Sequence, residues 1–363
     1  MDYNLIRRKS RAFKVGGVGI GGTYPVSIQS MANTDTSDAM ATYLQAKRLE
    51  AAGCDILRLA IPDISAAKTI YSLKEQGIKM PLVADIHFDY KIALAAIEAG
   101  ADKIRINPGN IGSRDRTEAV VRAAADKKIP IRIGVNSGSV EKELLEKHGG
   151  VNEISLVESA LSHAKILDEL GFSDYAVSIK ASNVPLTLAA NRLLAGSTDC
   201  PIHLGVTEAG ARTRAVVKSS IGIGTLLSEG IGDTVRVSLT DDPCEEIAAA
   251  REILSALEIG KRGMDIVSCP TCGRTKIDLI SLVRSFEAAA RAEGLYGLDI
   301  KVALMGCAVN GPGEAREADV GIAGGVGEGL LFKKGEIIRK IKEDKLVEEL
   351  IREIKIIRDE RTK

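Results

Sequence analysis

Short apolar, β-branched runs recur through the first two-thirds of the chain. They are "PVSIQSM" (25–31), "ILRLAIP" (56–62), "PLVADIHF" (81–88), "KIRINPG" (103–109), "PIRIGVN" (130–136), "YAVSIKAS" (175–182), "PIHLGVTEAG" (201–210) and "TVRVSLT" (234–240). Bounded by turn residues, such runs predict strands. Between them lie longer segments such as "SDAMATYLQAKRLEAAG" and "HFDYKIALAAIEAGA", apolar at helical spacing with a glycine near the end. Eight strand–helix units in a row predict a (β/α)8 TIM barrel, with a doubly wound open sheet as the alternative. The last barrel helix begins at "DDPCEEIAAAREILSALE" (241–258). The run "GGVGIGG" (16–22) contains G-x-G-x-x-G but precedes a strand instead of joining a strand to a helix. It predicts a hairpin closing the bottom of the barrel.

After "EIGKRGMD" the pattern changes. Strand candidates "IKVALMG" and "DVGIAGG" are followed by a charged amphipathic tail, "KEDKLVEELIREIKIIRDE", whose inward face is Leu346, Leu350, Ile351 and Ile354. The expected organisation is a TIM barrel over 1–260 and a small α/β domain over 261–363.

A length of 363 residues accommodates both. Forty-nine basic residues balance 49 acidic ones, so no overall field draws nucleic acid or a membrane surface. Aromatics are 3% with no tryptophan, which leaves few platforms for stacking bases. The first residues, "MDYNLIRRKSRAFKVGG", have no apolar core, so neither a signal peptide nor a membrane span is expected. The expected location is the cytoplasm, where six cysteines serve as packing, metal ligands or redox groups more readily than as disulfides.

Barrel chemistry sits at the C-terminal ends of the strands. Here those ends supply Arg58, Asp85, His87, Arg105, Asn107, Arg132, Asn136, Lys180, Ser182, His203, Glu208, Arg236 and Ser238. Five are cations, each from a different strand. In "IRIGVN" and "VRVSLT" the arginine alternates with apolar residues and so points into the mouth. Gathered cations repel unless an anion sits among them, and phosphate suits the guanidinium fork. The competing reading is a solvated rim in which they pair with Asp85, Glu208 and nearby acids. His87 reads as a substrate contact at a strand end, while His148 and His163 read as surface residues. Glu208 is a candidate proton donor or acceptor, or a cap for the next helix.

Cys54, Cys200 and Cys244 read as packing. Cys269 and Cys272 in "SCPTCGRT", with Cys307 in "MGCAVNGPGEA", lie among glycine and proline. A Cys-x-x-Cys pair fits zinc, a redox disulfide or an iron–sulfur cluster. Zinc usually closes a set of four ligands, and no second pair is present. Three cysteines can hold an iron–sulfur cluster with one iron left for another ligand. Glu314, seven residues after Cys307, is a candidate for that place or simply an exposed acid.

The motifs "RINPGNIG", "IRIGVNSGS", "SIKAS", "HLGVTEAG" and "IGIGTLLSEGIGDTVRVSLTDDP", together with "SCPTCGRT" and "GCAVNGPGEA", closely resemble the 4-hydroxy-3-methylbut-2-enyl diphosphate synthase family. These are iron–sulfur oxidoreductases of the non-mevalonate isoprenoid pathway, and the likeness runs over nearly the whole chain. The resemblance implies that 2-C-methyl-D-erythritol 2,4-cyclodiphosphate is opened and dehydrated with two electrons and a proton, delivered from flavodoxin or ferredoxin. It implies a 4Fe–4S cluster on Cys269, Cys272, Cys307 and Glu314. It also implies a diphosphate clamp of Arg58, Arg105, Arg132 and Lys180, with further contacts from Asn136, Arg236 and Ser238, and Glu208 as the acid at the reacting carbons. A head-to-tail homodimer follows from the short connection out of the barrel, and the resemblance points the same way. Two rivals remain open: a phosphate-sugar aldolase with Lys180 as a Schiff base, and a zinc-stabilised binding module. Only the iron–sulfur protein would be brown when purified without oxygen.

Overall fold

The computed structural model describes residues 6–260, 263–307 and 315–361. The chain divides into two compact units, Met1–Leu257 and Glu258–Lys363.

In the first unit a hairpin comes first, β1 (Ala12–Val15) and β2 (Val18–Gly21), paired antiparallel. Eight parallel strands follow: β3 (Ser27–Met31), β4 (Ile56–Ala60), β5 (Leu82–Asp85), β6 (Lys103–Ile106), β7 (Ile131–Asn136), β8 (Tyr175–Lys180), β9 (His203–Leu204) and β10 (Thr234–Val235). Their order is β8-β7-β6-β5-β4-β3-β10-β9. A bridge between Val177 and Ile202 joins the two ends of the sheet, so the barrel is nearly closed. The expected hairpin packs Phe13, Val15 and Ile20 against Ile56, Val83 and Ala176 near the strand starts, which plugs the bottom.

The helices between strands begin at side-chain caps. Asp38, Asp63, Asp89, Asn152, Asn183 and Asp242 each accept a backbone N–H from the first turn that follows. Two strands are much shorter than their apolar runs: β9 and β10 keep two residues each. Beyond β10, Arg236 N–H still donates to Leu204 O at 3.0 Å, its side chain turns to Ser238 and Glu246, and Leu239 N–H donates to Glu246.

The second unit is a five-stranded sheet of β11 (Asp265–Ser268), β12 (Lys301–Met305), β13 (Val320–Gly324), β14 (Glu328–Lys333) and β15 (Glu336–Lys342), in that spatial order. The first three strands are parallel and the rest antiparallel. Helices Leu279–Ala292 and Leu346–Arg361 pack on the sheet through a core containing Phe286, Val302, Leu304, Val320 and Ile322. Leu346, Leu350, Ile351 and Ile354 all belong to that core, as the tail's periodicity predicts. No described helix is long and apolar enough to cross a membrane.

Candidate active site

Alternation along the strands sorts the barrel interior into levels. Ile56, Val83 and Ala176 meet the hairpin at the bottom. Above them the same faces carry Arg58, Lys103, Arg105, Arg132, Lys180 and His203, all buried except Arg58, which is nearly so. The register sets Arg105 beside Asp85 on one side and Arg132 on the other, and Asn136 beside Lys180.

Two carboxylates organise these cations. Asp85 Oδ1 lies 3.1 Å from Arg105 Nη1, and its Oδ2 lies 3.6 Å from Arg58 Nε and 3.7 Å from His87 Nε2. Glu246, from the first turn of helix Pro243–Ala256, accepts from Arg236 Nη2 at 2.9 Å and from Ser30 Oγ at 2.9 Å. Arg236 Nη1 in turn donates to Ser238 Oγ at 2.8 Å. Arg58 also directs Nη2 at Met31 Sδ, 2.9 Å away. Gly134 leaves room for Arg105, since a Cβ there would stand 2.5 Å from Arg105 Nε.

Arg132 is different. It is 1% exposed, and its Nε and Nη1 have no hydrogen-bond partner among the described residues. Lys180 Nζ stands 3.3 Å from His203 Nε2. Burial, reinforced by the neighbouring cations, pushes Arg132, Lys103, Lys180 and His203 well below their ordinary pKa values. Arg58 is pushed down to about 10 by burial and by Arg236 and Arg105, against the pull of Asp85. Burial alone would raise the Asp85 carboxyl, but Arg58, Arg105, Arg132 and His87 hold it below its usual range. Asp85 and Glu246 are outnumbered by Arg58, Lys103, Arg105, Arg132, Lys180 and Arg236, which gathers basic groups in a buried setting. That arrangement suits a compact polyanion.

The remaining sequence-predicted residues stand at the rim. His87 is exposed just past β5. Asn136 ends β7, where its N–H donates to Ser139 Oγ at 3.0 Å. Glu208 is exposed with φ +51°, a left-handed conformation that costs a residue with a Cβ and tends to mark functional loops. It does not cap the next helix, Arg212–Ser228, whose N-cap is Ala211 without a side-chain bond.

The expectation that His163 lies on the surface is overturned. It is 5% exposed on the inward face of helix Glu153–Glu169, with Nε2 2.6 Å from Glu141 Oε1. His148 is also drawn in, with its side chain 2.7 Å from Glu158. Lys103 and Glu246 are new to the cluster. The alternation of Lys103 with Arg105 in "KIRI" signals the first; Glu246 looks in sequence like an ordinary acidic first-turn residue.

The cysteines gather at one end of the second sheet. Cys269 follows β11 and Cys307 lies just beyond β12, on neighbouring parallel strands. Gly306 N–H donates to Cys269 Sγ at 3.3 Å, and Lys276 N–H donates to Gly306 O at 2.9 Å. Cys272 N–H donates to Thr275 Oγ1 at 3.1 Å. The Arg274 backbone N–H and guanidinium hold the Cys272 thiol below its usual pKa, which favours the thiolate a metal requires. Among the described residues no three His, Cys, Asp or Glu side chains converge on a single ion. Thiols of this kind, on turns rich in glycine and proline, suit the sulfur ligands of an iron–sulfur cluster. Glu314 lies outside the described residues. Cys54 and Cys200 are buried, and burial pushes the Cys54 thiol up to about 12, in keeping with packing.

A family model described as the GcpE TIM-barrel domain matches residues 10–251, and one described as the GcpE protein C-terminal domain matches 265–356. Curated relatives named 4-hydroxy-3-methylbut-2-en-1-yl diphosphate synthase (flavodoxin) are similar end to end. That of Ruminiclostridium cellulolyticum is 57% identical, over 98% of this chain and 99% of the relative. That of Clostridium perfringens is 58% identical, over 97% and 99%. Among solved structures, a type I 3-dehydroquinate dehydratase from Clostridium difficile superposes with a TM-score of 0.50 at 16% identity, covering 69% of this chain and 97% of that one. That last likeness is one of barrel fold alone.

Proposed function

The chain belongs to the GcpE family of 4-hydroxy-3-methylbut-2-en-1-yl diphosphate synthases, and from that premise we infer how its own residues share the work. The enzyme converts 2-C-methyl-D-erythritol 2,4-cyclodiphosphate to 4-hydroxy-3-methylbut-2-enyl diphosphate and water, with the uptake of two electrons and a proton. The observation that carries the residue assignment is Arg132, buried with two unpartnered nitrogens among further cations.

The barrel, assigned here to 1–260, binds the substrate. Arg58, Arg105, Arg132 and Lys180 hold the diphosphate oxygens, with Asn136, Arg236 and Ser238 adding contacts and His87 closing over the rim. Asp85 and Glu246 keep the guanidiniums from turning away, so the anion meets donors already aimed. Glu208 gives or takes the proton at its carboxyl.

The second domain, 261–363, carries the redox group. Cys269, Cys272, Cys307 and Glu314 would hold a 4Fe–4S cluster, which supplies single electrons and a Lewis-acidic iron. Flavodoxin is the proposed electron donor, in keeping with the names of the relatives, and ferredoxin is the alternative.

The proposed assembly is a head-to-tail homodimer. The last barrel helix, Pro243–Ala256, runs back from the mouth toward the barrel bottom, and the seven residues 258–264 precede β11. Seven residues reach at most about 25 Å. A tether leaving from the face opposite the mouth favours a cluster domain that serves the partner's barrel. The proposed location is the cytoplasm.

The test is anaerobic purification with iron and sulfide assay, an absorption spectrum and turnover of the cyclic diphosphate. A brown, active protein that loses its cluster in Cys272→Ser is the expected result. A colourless protein that is nonetheless active would overturn the cluster assignment.

A further inference from the structure

Lys180 and His203 are buried basic residues on β8 and β9, the strands that meet at the seam of the barrel. Lys180 Nζ and His203 Nε2 are 3.3 Å apart, and His203 Nδ1 is 3.3 Å from Thr234 Oγ1. Gly205 makes the space that Lys180 fills. A Cβ there would stand 2.6 Å from Lys180 Nζ and 2.6 Å from Arg236 O. The two strands are joined by the Val177–Ile202 bridge and, farther up, by Thr207 N–H donating to Ala181 O at 3.2 Å. Lys180 lies along β8 between these links, so its stem has a socket built of strand backbone.

Two basic nitrogens in contact cannot both be fully protonated, because one of them must accept. Among the described residues neither has a carboxylate partner: Asp85 is engaged by Arg58 and Arg105, and Glu246 by Arg236. Asp85 and Glu246 are the acids of the same cluster. The charged groups that bear most strongly on the pair are Arg132 from β7, Arg58 from β4, Lys103 and Arg105 from β6, and Arg236 beyond β10, all of them cations. An empty cup therefore disfavours an ammonium at Lys180, and a bound anion restores it.

We propose that His203 is a positioning residue that fixes Lys180 in the mouth by accepting its hydrogen at Nε2, and that the pair takes up one proton from solvent when the cyclic diphosphate binds. With Nε2 accepting, Nδ1 carries the imidazole hydrogen and donates to Thr234 Oγ1. The proton gained becomes the third hydrogen of the Lys180 ammonium, and no electron moves. This inference rests on the diphosphate-binding reading above.

Calorimetric titration of the cluster-loaded protein with 2-C-methyl-D-erythritol 2,4-cyclodiphosphate, in two buffers of different ionisation enthalpy, tests it. Wild type should take up close to one proton more per substrate bound than Lys180→Met. His203→Phe should bind at least about tenfold more weakly, as for loss of a hydrogen bond to a charged group. His203→Gln, which keeps an acceptor, should recover most of that loss. Heats independent of buffer in a wild-type protein that binds substrate would overturn the proton linkage. Unchanged affinity in His203→Phe would overturn the positioning role. A wild-type protein that binds no substrate refutes the functional reading instead, so the two failures are distinct. If His203→Phe does not fold, His203→Leu, close to the imidazole in size and without an acceptor, should show the same weakening.

Discussion

Arg132 is a guanidinium placed almost out of reach of water, with donors to spare among the described residues. Removing one partner of such a desolvated charge pair costs about 2–5 kcal/mol. Arg132→Ala should therefore lose substrate affinity to that extent while its cluster absorption stays unchanged, which titration and a spectrum of the same sample would check. Asp85 gives a pH signature. Its native pKa lies below the ordinary 3.8, so its contribution to folding is complete above that value and drains away as pH falls through the native one. Denaturant unfolding carried into the acid range should show this loss, and Asp85→Asn should flatten part of it. The orientation of Arg132 was legible because "IRIGVN" alternates strictly and a strand side chain has only two faces. His163 was not legible, because a helix rich in small residues such as Glu153–Glu169 leaves its inward stripe ambiguous until neighbours pack on it.

At the level of elements, strand existence was plain in the sequence and strand extent was not. Past β10, Glu246, a side chain from the next helix, binds the Arg236 side chain and the backbone of Leu239, where the apolar run alone would continue the strand. An apolar run carries no trace of a partner that arrives later in the chain. The tail helix was legible, since Leu346, Leu350, Ile351 and Ile354 recur at helical spacing and all enter one core. Leu350 is fully buried there. Leu350→Ala should destabilise the second unit by about 2–5 kcal/mol through lost packing and a cavity. Calorimetry should show that unit melting earlier and the barrel melting as before. The nearness of Cys269 to the strand end that leads to Cys307 was legible by spacing, while the ligand set itself is a proposal, and Glu314, offered by its spacing after Cys307 and by the likeness, falls outside the described residues.

At the scale of the whole molecule, the head-to-tail reading makes each active centre the property of two chains. On the proposed roles, Glu208→Gln should disable a barrel and Cys269→Ser a cluster, so each homodimer should be inactive. Mixed under exchange conditions, the two should form hybrids with one intact pair and regain part of the activity. Verified hybrids that stay inactive would place the whole centre within one chain. The hairpin at the bottom of the barrel bears on traffic through that centre. With Phe13, Val15 and Ile20 seated on Ile56, Val83 and Ala176, the barrel is a flask with a single neck and not a tube. Substrate, product and the released water must share one doorway in turn. On the proposed reading, what sits over that neck governs arrival and departure alike.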